Sequence, residues 1–203
     1  AMRASQLRAS GQAEDLPRTE RDMPIWIVGA TILASLIPLA ILFNSFLAAG
    51  PLEQVLWPLI AGGVLYVVVA GFLVAAVCGY MAGLIGSSNS PVSGLAILSV
   101  LGASLLLVLL AANTVGPTGH AALVAYALFV TAVLLNVATI ANDNLQDLKT
   151  GQLVDATPWK QQFALIIGVL AGACVIPPIL EVLNRAFGFA GAPNLPPISD
   201  QPL

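Results

Sequence analysis

The residues best equipped for chemistry fall in two short runs. The first is Gly83-Leu84-Ile85-Gly86-Ser87-Ser88-Asn89-Ser90-Pro91-Val92-Ser93-Gly94, where hydroxyls and a carboxamide crowd between glycines and Pro91 opens the next helix. Such groups exchange hydrogen bonds with a polar guest, and the amides at a helix N-terminus attract an anionic one. Ser87, Ser88, Asn89, Ser90 and Ser93 are therefore the candidate lining of a substrate path, with Ser90 or Asn89 capping the helix that follows. The second run is Asn142-Asp143-Asn144-Leu145-Gln146-Asp147-Leu148-Lys149-Thr150-Gly151. Asp143 and Asp147 stand four apart, so on a helix they would share a face. A half-buried Asp143 beside an apolar segment could hold a proton or contact a cation. Asp143, Asn144, Gln146, Asp147 and Lys149 are accordingly candidates for coupling or gating. A solvated loop closed by Gly151 explains the same residues with no such role.

The elements that must position these runs are apolar. Hydrophobic residues make up 58% of the 203-residue chain and charged residues 8%, against about 25% charged in soluble domains. Mean hydropathy is +0.93. The apolar residues come in runs that suit a hydrocarbon core of about 30 Å, which takes about 20 helical residues. Five spans follow, and the fold class is an all-α membrane protein. Span 1 runs from Pro24 to Leu47 with Pro38 inside it, span 2 from Val55 to Gly86, and span 3 from Val92 to Ala112. Span 4 covers Ala121 to Ala141, a polar loop covers Asn142 to Gln162, and span 5 ends near Leu183. Span 2 is about ten residues longer than one upright crossing needs. Its surplus fits a broken or re-entrant segment between spans 2 and 3, whose unwound backbone would line a cavity. A long tilted helix ending in a plain turn is the other reading.

Loop charge orients the bundle. Arg3, Arg8, Arg18 and Arg21 precede span 1 and Lys149 and Lys160 lie between spans 4 and 5, which leaves only Arg185 on the other side. Positive residues mark the cytoplasmic side. Residues 1–23 are then a cytoplasmic segment, residues 24–184 the transmembrane bundle, and residues 185–203 an outward-facing tail. Trp26, Trp57 and Trp159 each sit at the start of a span, at interface depth. Gly79 with Gly83, and Gly168 with Gly172, have the spacing that lets helices pack closely.

Several function classes are excluded by geography or composition. With pI ≈ 4.8 there is no basic patch for nucleic acid. Cys78 and Cys174 both lie in apolar runs, which gives neither a disulfide framework nor a metal cluster. His120 falls at the outer end of span 3 and Ser87 at the inner end of span 2, about 30 Å apart, so no Ser–His dyad forms. Neither a zinc-protease H-E-x-x-H nor a phosphate-binding G-x-x-x-x-G-K-[ST] occurs. No catalytic residue, metal ligand or cofactor is expected. Asn136 is placed to bond a neighbouring helix, and Glu181 to reach the interface.

The run Gly83–Gly94 resembles the signature of the oligopeptide transporter (OPT) family, particularly its bacterial members. Asp143, the run Gln146-Asp147-Leu148-Lys149-Thr150-Gly151 and the segment Ala156-Thr157-Pro158-Trp159-Lys160-Gln161-Gln162 resemble that family's following loop. Val175-Ile176-Pro177-Pro178, Phe187-Gly188-Phe189 and Glu20-Arg21-Asp22-Met23-Pro24 are similar more loosely. Asp155 and Glu181 depart from it, standing where a small or amide residue is expected. The resemblance implies a secondary transporter, a proton-coupled symporter of the bacterial inner membrane, carrying small peptides or peptide-like metal chelates. Its partners would be that substrate, protons, the lipid bilayer and the remainder of a longer transporter chain, of which these residues would be an internal piece. A non-transporting membrane scaffold or subunit is the alternative.

Overall fold

The computed structural model describes residues 17–188 apart from 49 and 112. Arg3, Arg8 and the tail beyond Gly188 lie outside the described residues. A 3-10 turn (Arg18–Glu20) leads to α1 (Ile25–Leu47), and a second (Glu53–Val55) to α2 (Leu56–Ile85). A third (Ser87–Asn89) joins α2 to α3 (Val92–Ala111), followed by α4 (Pro117–Leu153) and α5 (Pro158–Phe187). All five helices are long and apolar enough to cross a membrane. The chain divides into two compact units, Ala1–Gln161 and Gln162–Leu203.

Two helices are longer than one upright crossing needs. α2 has 30 residues, all within the expected span 2, and α4 has 37, well beyond the expected span 4, or about 45 and 55 Å at 1.5 Å per residue. The fold-back expected within the surplus of span 2 is absent, because α2 runs unbroken to Ile85. Past Pro58 its residues include no proline, and a continuous helix satisfies every backbone group of an apolar run. The break falls at Gly86, whose φ of 87° ends the helix where a side chain would be strained. The loop expected from Asn142 is equally absent, since α4 continues to Leu153. Polarity changes there, yet the residues still form good helix, and Leu145 and Leu148 extend its apolar spacing. Gly151 does not stop the helix. It is buried, and the Gln161 side chain occupies the space a Cβ would need. The stop comes at Asp155, which takes a φ of 56° while Ala156 N–H bonds back to the Gly151 carbonyl at 2.8 Å. That is the Schellman arrangement, with aspartate in the position usually given to glycine or asparagine.

In the first unit α2 packs along α4, with α3 against both and α1 against α2. The core joins Phe43 and Leu47 of α1, Leu59 and Val67 of α2, Ala103 and Leu107 of α3, and Tyr126, Val130 and Leu134 of α4. Tyr126 is fully buried, stands edge-on to Phe43 at 5.4 Å and donates its hydroxyl to the Leu59 carbonyl at 3.1 Å. Gly63 makes room for both rings. Tyr66 donates to the Ser99 carbonyl at 2.8 Å, tying α2 to α3. A smaller cluster of Val74, Cys78 and Ala138, with Val92 and Leu95 against it, lies nearer the end of α2. Large apolar side chains such as Leu33, Phe72 and Leu109 stay exposed, as suits lipid or further helices.

The N-terminal segment and the α4–α5 junction meet at one end of this unit. Trp159 N–H donates to the Arg21 carbonyl at 3.2 Å, which brings Arg18 and Arg21 to the end that carries Lys149 and Lys160. In the second unit, α5 contains Pro177 and Pro178 without interruption. Glu181 is exposed there and pairs with Arg185 at 2.8 Å, one turn on.

Candidate functional site

The helix break at Gly86 frees backbone groups that α4 then takes up. Ser87 N–H would continue α2 by bonding to the Gly83 carbonyl, but it donates instead to Gln146 Oε1 at 3.2 Å. The Ser87 carbonyl accepts from Asn142 Nδ2 at 3.5 Å and from Ser90 N–H at 3.2 Å. Asn142 and Gln146 are one turn apart on α4, so two carboxamides hold the backbone N–H and carbonyl of one residue, Ser87. The orientation of each amide follows from chemistry, because an N–H can only donate and a carbonyl can only accept. Asn142 Oδ1 and Ser90 Oγ are left buried without a hydrogen-bond partner.

Packing explains why these residues meet. A Cβ at Gly79 would sit 3.2 Å from Leu145 and 3.8 Å from the Ala141 carbonyl, so α2 and α4 cross closely there. Gly83, by contrast, faces open space. From that crossing the apolar cluster of Cys78 and Ala138 leads directly to Asn142, which lies one turn beyond Ala138 on the buried face of α4.

The two candidate runs thus converge, though through fewer residues than expected. Ser87, Ser90 and Gln146 take part. Ser88, Asn89 and Ser93 are exposed. Asn89 does not cap α3, because its Nδ2 reaches back to the Ile85 carbonyl at 3.4 Å, and Ser90 Oγ makes no hydrogen bond. Asp143 and Asp147 share a face, but that face is exposed, so the half-burial expected of Asp143 is corrected. One residue is about 100° of helix, and α2 covers the Asn142 side of α4. Asn144 is half-buried and Lys149 exposed. Lys149 lines a cavity of about 220 Å³ with Thr19, Asp22, Leu145, Gln152 and Pro158. Asn142, only 6% exposed, is the residue that the sequence reading left out of its candidates. Extending the apolar i, i+4 series of α4 past Ala138 would have found it.

His120 lies elsewhere, on an almost wholly apolar cavity of about 180 Å³ with Ser104, Leu107 and Leu123. Along α4 it is about 33 Å from Asn142. Among the described residues no group of three or more His, Cys, Asp or Glu is placed to hold a metal. Asn136 does not bond another helix but returns its Nδ2 to the Ala132 carbonyl at 3.0 Å.

Comparison with known proteins addresses the chain as a whole. Its residues 2–198 match the family model described as OPT oligopeptide transporter protein. It is 46% identical over 189 residues to a Haemophilus influenzae protein named "Putative oligopeptide transporter", covering 91% of this chain and 29% of that one. The chain therefore spans under a third of the length of that relative. No solved structure matches it. With five apolar helices, a polar break clasped by α4 and a family model that matches almost every residue, the chain belongs to the OPT oligopeptide transporter family.

Proposed function

We propose that this chain is part of a secondary active transporter that imports oligopeptides, or peptide-like metal chelates, across a bacterial inner membrane in symport with protons. Family membership supports transport, and the printed name of the Haemophilus influenzae relative supports peptides as cargo. The observation that carries the reading is the clasp of Asn142 and Gln146 on Ser87. A polar break between two membrane helices, held by a third, is how helical transporters build a site without exposing backbone to lipid. In this reading Arg18, Arg21, Lys149 and Lys160 face the cytoplasm. The clasp then lies toward the cytoplasmic end of the path, with Asp143 and Asp147 at its mouth.

Uptake of a radiolabelled tripeptide into proteoliposomes of the full-length protein tests this. Accumulation should follow an imposed inward proton gradient and collapse with a protonophore. Alternating access needs one bundle to move against another, so residues 1–203 alone should not accumulate peptide. Equal uptake with and without the gradient would remove proton coupling. Absence of uptake for peptides and chelates alike would leave the scaffold reading.

A further inference from the structure

We infer that the junction of the α2–α3 turn with α4 is a binding site for a small monocation, the α-ammonium of a peptide or an alkali metal ion, held by Asn142 Oδ1 and Ser90 Oγ. Both oxygens are buried without a hydrogen-bond partner. Asn142 is 6% exposed, so bulk water does not serve its oxygen. Its carboxamide is fixed with Nδ2 on the Ser87 carbonyl, which leaves Oδ1 as the free atom. Ser90 N–H donates to that same carbonyl at 3.2 Å, so the two residues with free oxygens meet at a single acceptor. An unpaired buried acceptor costs free energy in the empty state, and a donor or cation placed against it recovers that cost.

The sign of the guest follows from the surroundings. Asn142 Oδ1 can only accept, which rejects a bare carboxylate. The carbonyl end of α2 carries the negative end of its helix dipole, and Asp143 and Asp147 add negative charge on the neighbouring face of α4. Lys149 is two turns further along, on the cavity it shares with Asp22. Both ligand oxygens are neutral, which suits one positive charge, whereas divalent ions are held by carboxylates. The ammonium arm rests on the transport reading above; the alkali-ion arm does not.

The test measures binding apart from transport. Full-length protein in detergent is melted in choline chloride, then with sodium or potassium replacing choline, with trialanine, and with N-acetyl-trialanine. A saturable rise in melting temperature with an alkali ion identifies the ion. A rise with trialanine that acetylation abolishes identifies the ammonium. In either case Ser90→Ala should weaken the apparent affinity about ten-fold. That variant removes no hydrogen bond the structure contains. Asn142→Asp should tighten it by adding a charge. The site is overturned if none of these cations shifts wild type, if the trialanine shift survives acetylation with no alkali-ion effect, or if Ser90→Ala binds as wild type does. Peptide uptake by the same preparation without any cation shift overturns the site and leaves the transport reading intact. A cation shift without uptake does the reverse.

Discussion

Replacing Asn142 with leucine keeps the branching of the side chain and exchanges its amide oxygen and nitrogen for methyls. Two opposing terms set the outcome. The bond to the Ser87 carbonyl is lost, but at 3.5 Å it is long, and hydrogen bonds between membrane helices average only about 0.6 kcal/mol. Against this, the unpartnered Oδ1 disappears from a residue that is 6% exposed. A buried unsatisfied acceptor costs about 1–3 kcal/mol. The bulk of two methyls takes back part of the gain, on the order of 1 kcal/mol. The expected result is a protein unchanged or more stable by up to about 1.5 kcal/mol, with peptide uptake largely lost. Gln146→Leu is the internal comparison. Its 3.2 Å bond to Ser87 N–H lies at an exposed position, where water replaces it, so stability should fall by no more than about 1 kcal/mol. Thermal melts of both variants in choline chloride, beside uptake by the same preparations, make the measurement. A melting temperature for Asn142→Leu well below that of Gln146→Leu would refute the reasoning, because it would mean that Oδ1 was satisfied all along.

Gly63→Ala should destabilise by about 1–3 kcal/mol, since its Cβ meets the hydroxyl of Tyr126 and the ring of Phe43; Gly29→Ala, with nothing within 4 Å, should not. Comparative melts separate the two, and equal losses would count against the packing described. Asp155→Gly should stabilise by about 0.5–1 kcal/mol, by relieving the left-handed backbone at the end of α4. Asp155→Ala under the same melt should bring no such gain. Cysteines introduced at the exposed positions Thr118 and Thr150 should label from opposite sides of the membrane. One helix separates them by about 48 Å, more than a hydrocarbon core of about 30 Å. Labelling from the same side would contradict the five-span topology. Asp143→Asn with Asp147→Asn should leave folding intact, because both side chains are exposed, and lower peptide uptake by removing two charges from the mouth of the path. A double variant with wild-type uptake would reduce these carboxylates to a solvated face.

The membrane class and the number of spans were legible because they depend on local hydropathy. Among the described residues, every apolar run from Ile25 onward became a helix. The ends of those helices were less legible. Hydropathy reports where side chains leave lipid, and backbone hydrogen bonding does not stop there. Asn142 to Leu153 therefore read as a loop, although they complete α4. The surplus of α2 read equally as a fold-back or a longer helix, because an isolated apolar run carries no record of its tilt. Asp155 had stood out as a departure from the family pattern. Only its φ of 56° explains why a small or amide residue is expected there.

The apolar helices, the polar break at Gly86-Ser87-Ser88-Asn89-Ser90 and the carboxamide-rich run on α4 are written in the residue order alone, since each is a property of neighbouring residues. Tertiary structure decided which of those polar residues matter. The close crossing at Gly79 sets how α2 lies along α4, and that contact turns Asn142 inward while Asp143, next in the chain, faces out. The same crossing brings Ser87 within reach of Gln146, 59 residues away. A rotation of α4 by one residue, about 100°, would have buried the carboxylate instead. Which face a helix buries is a property of the pair of helices, and no reading of either helix alone contains it.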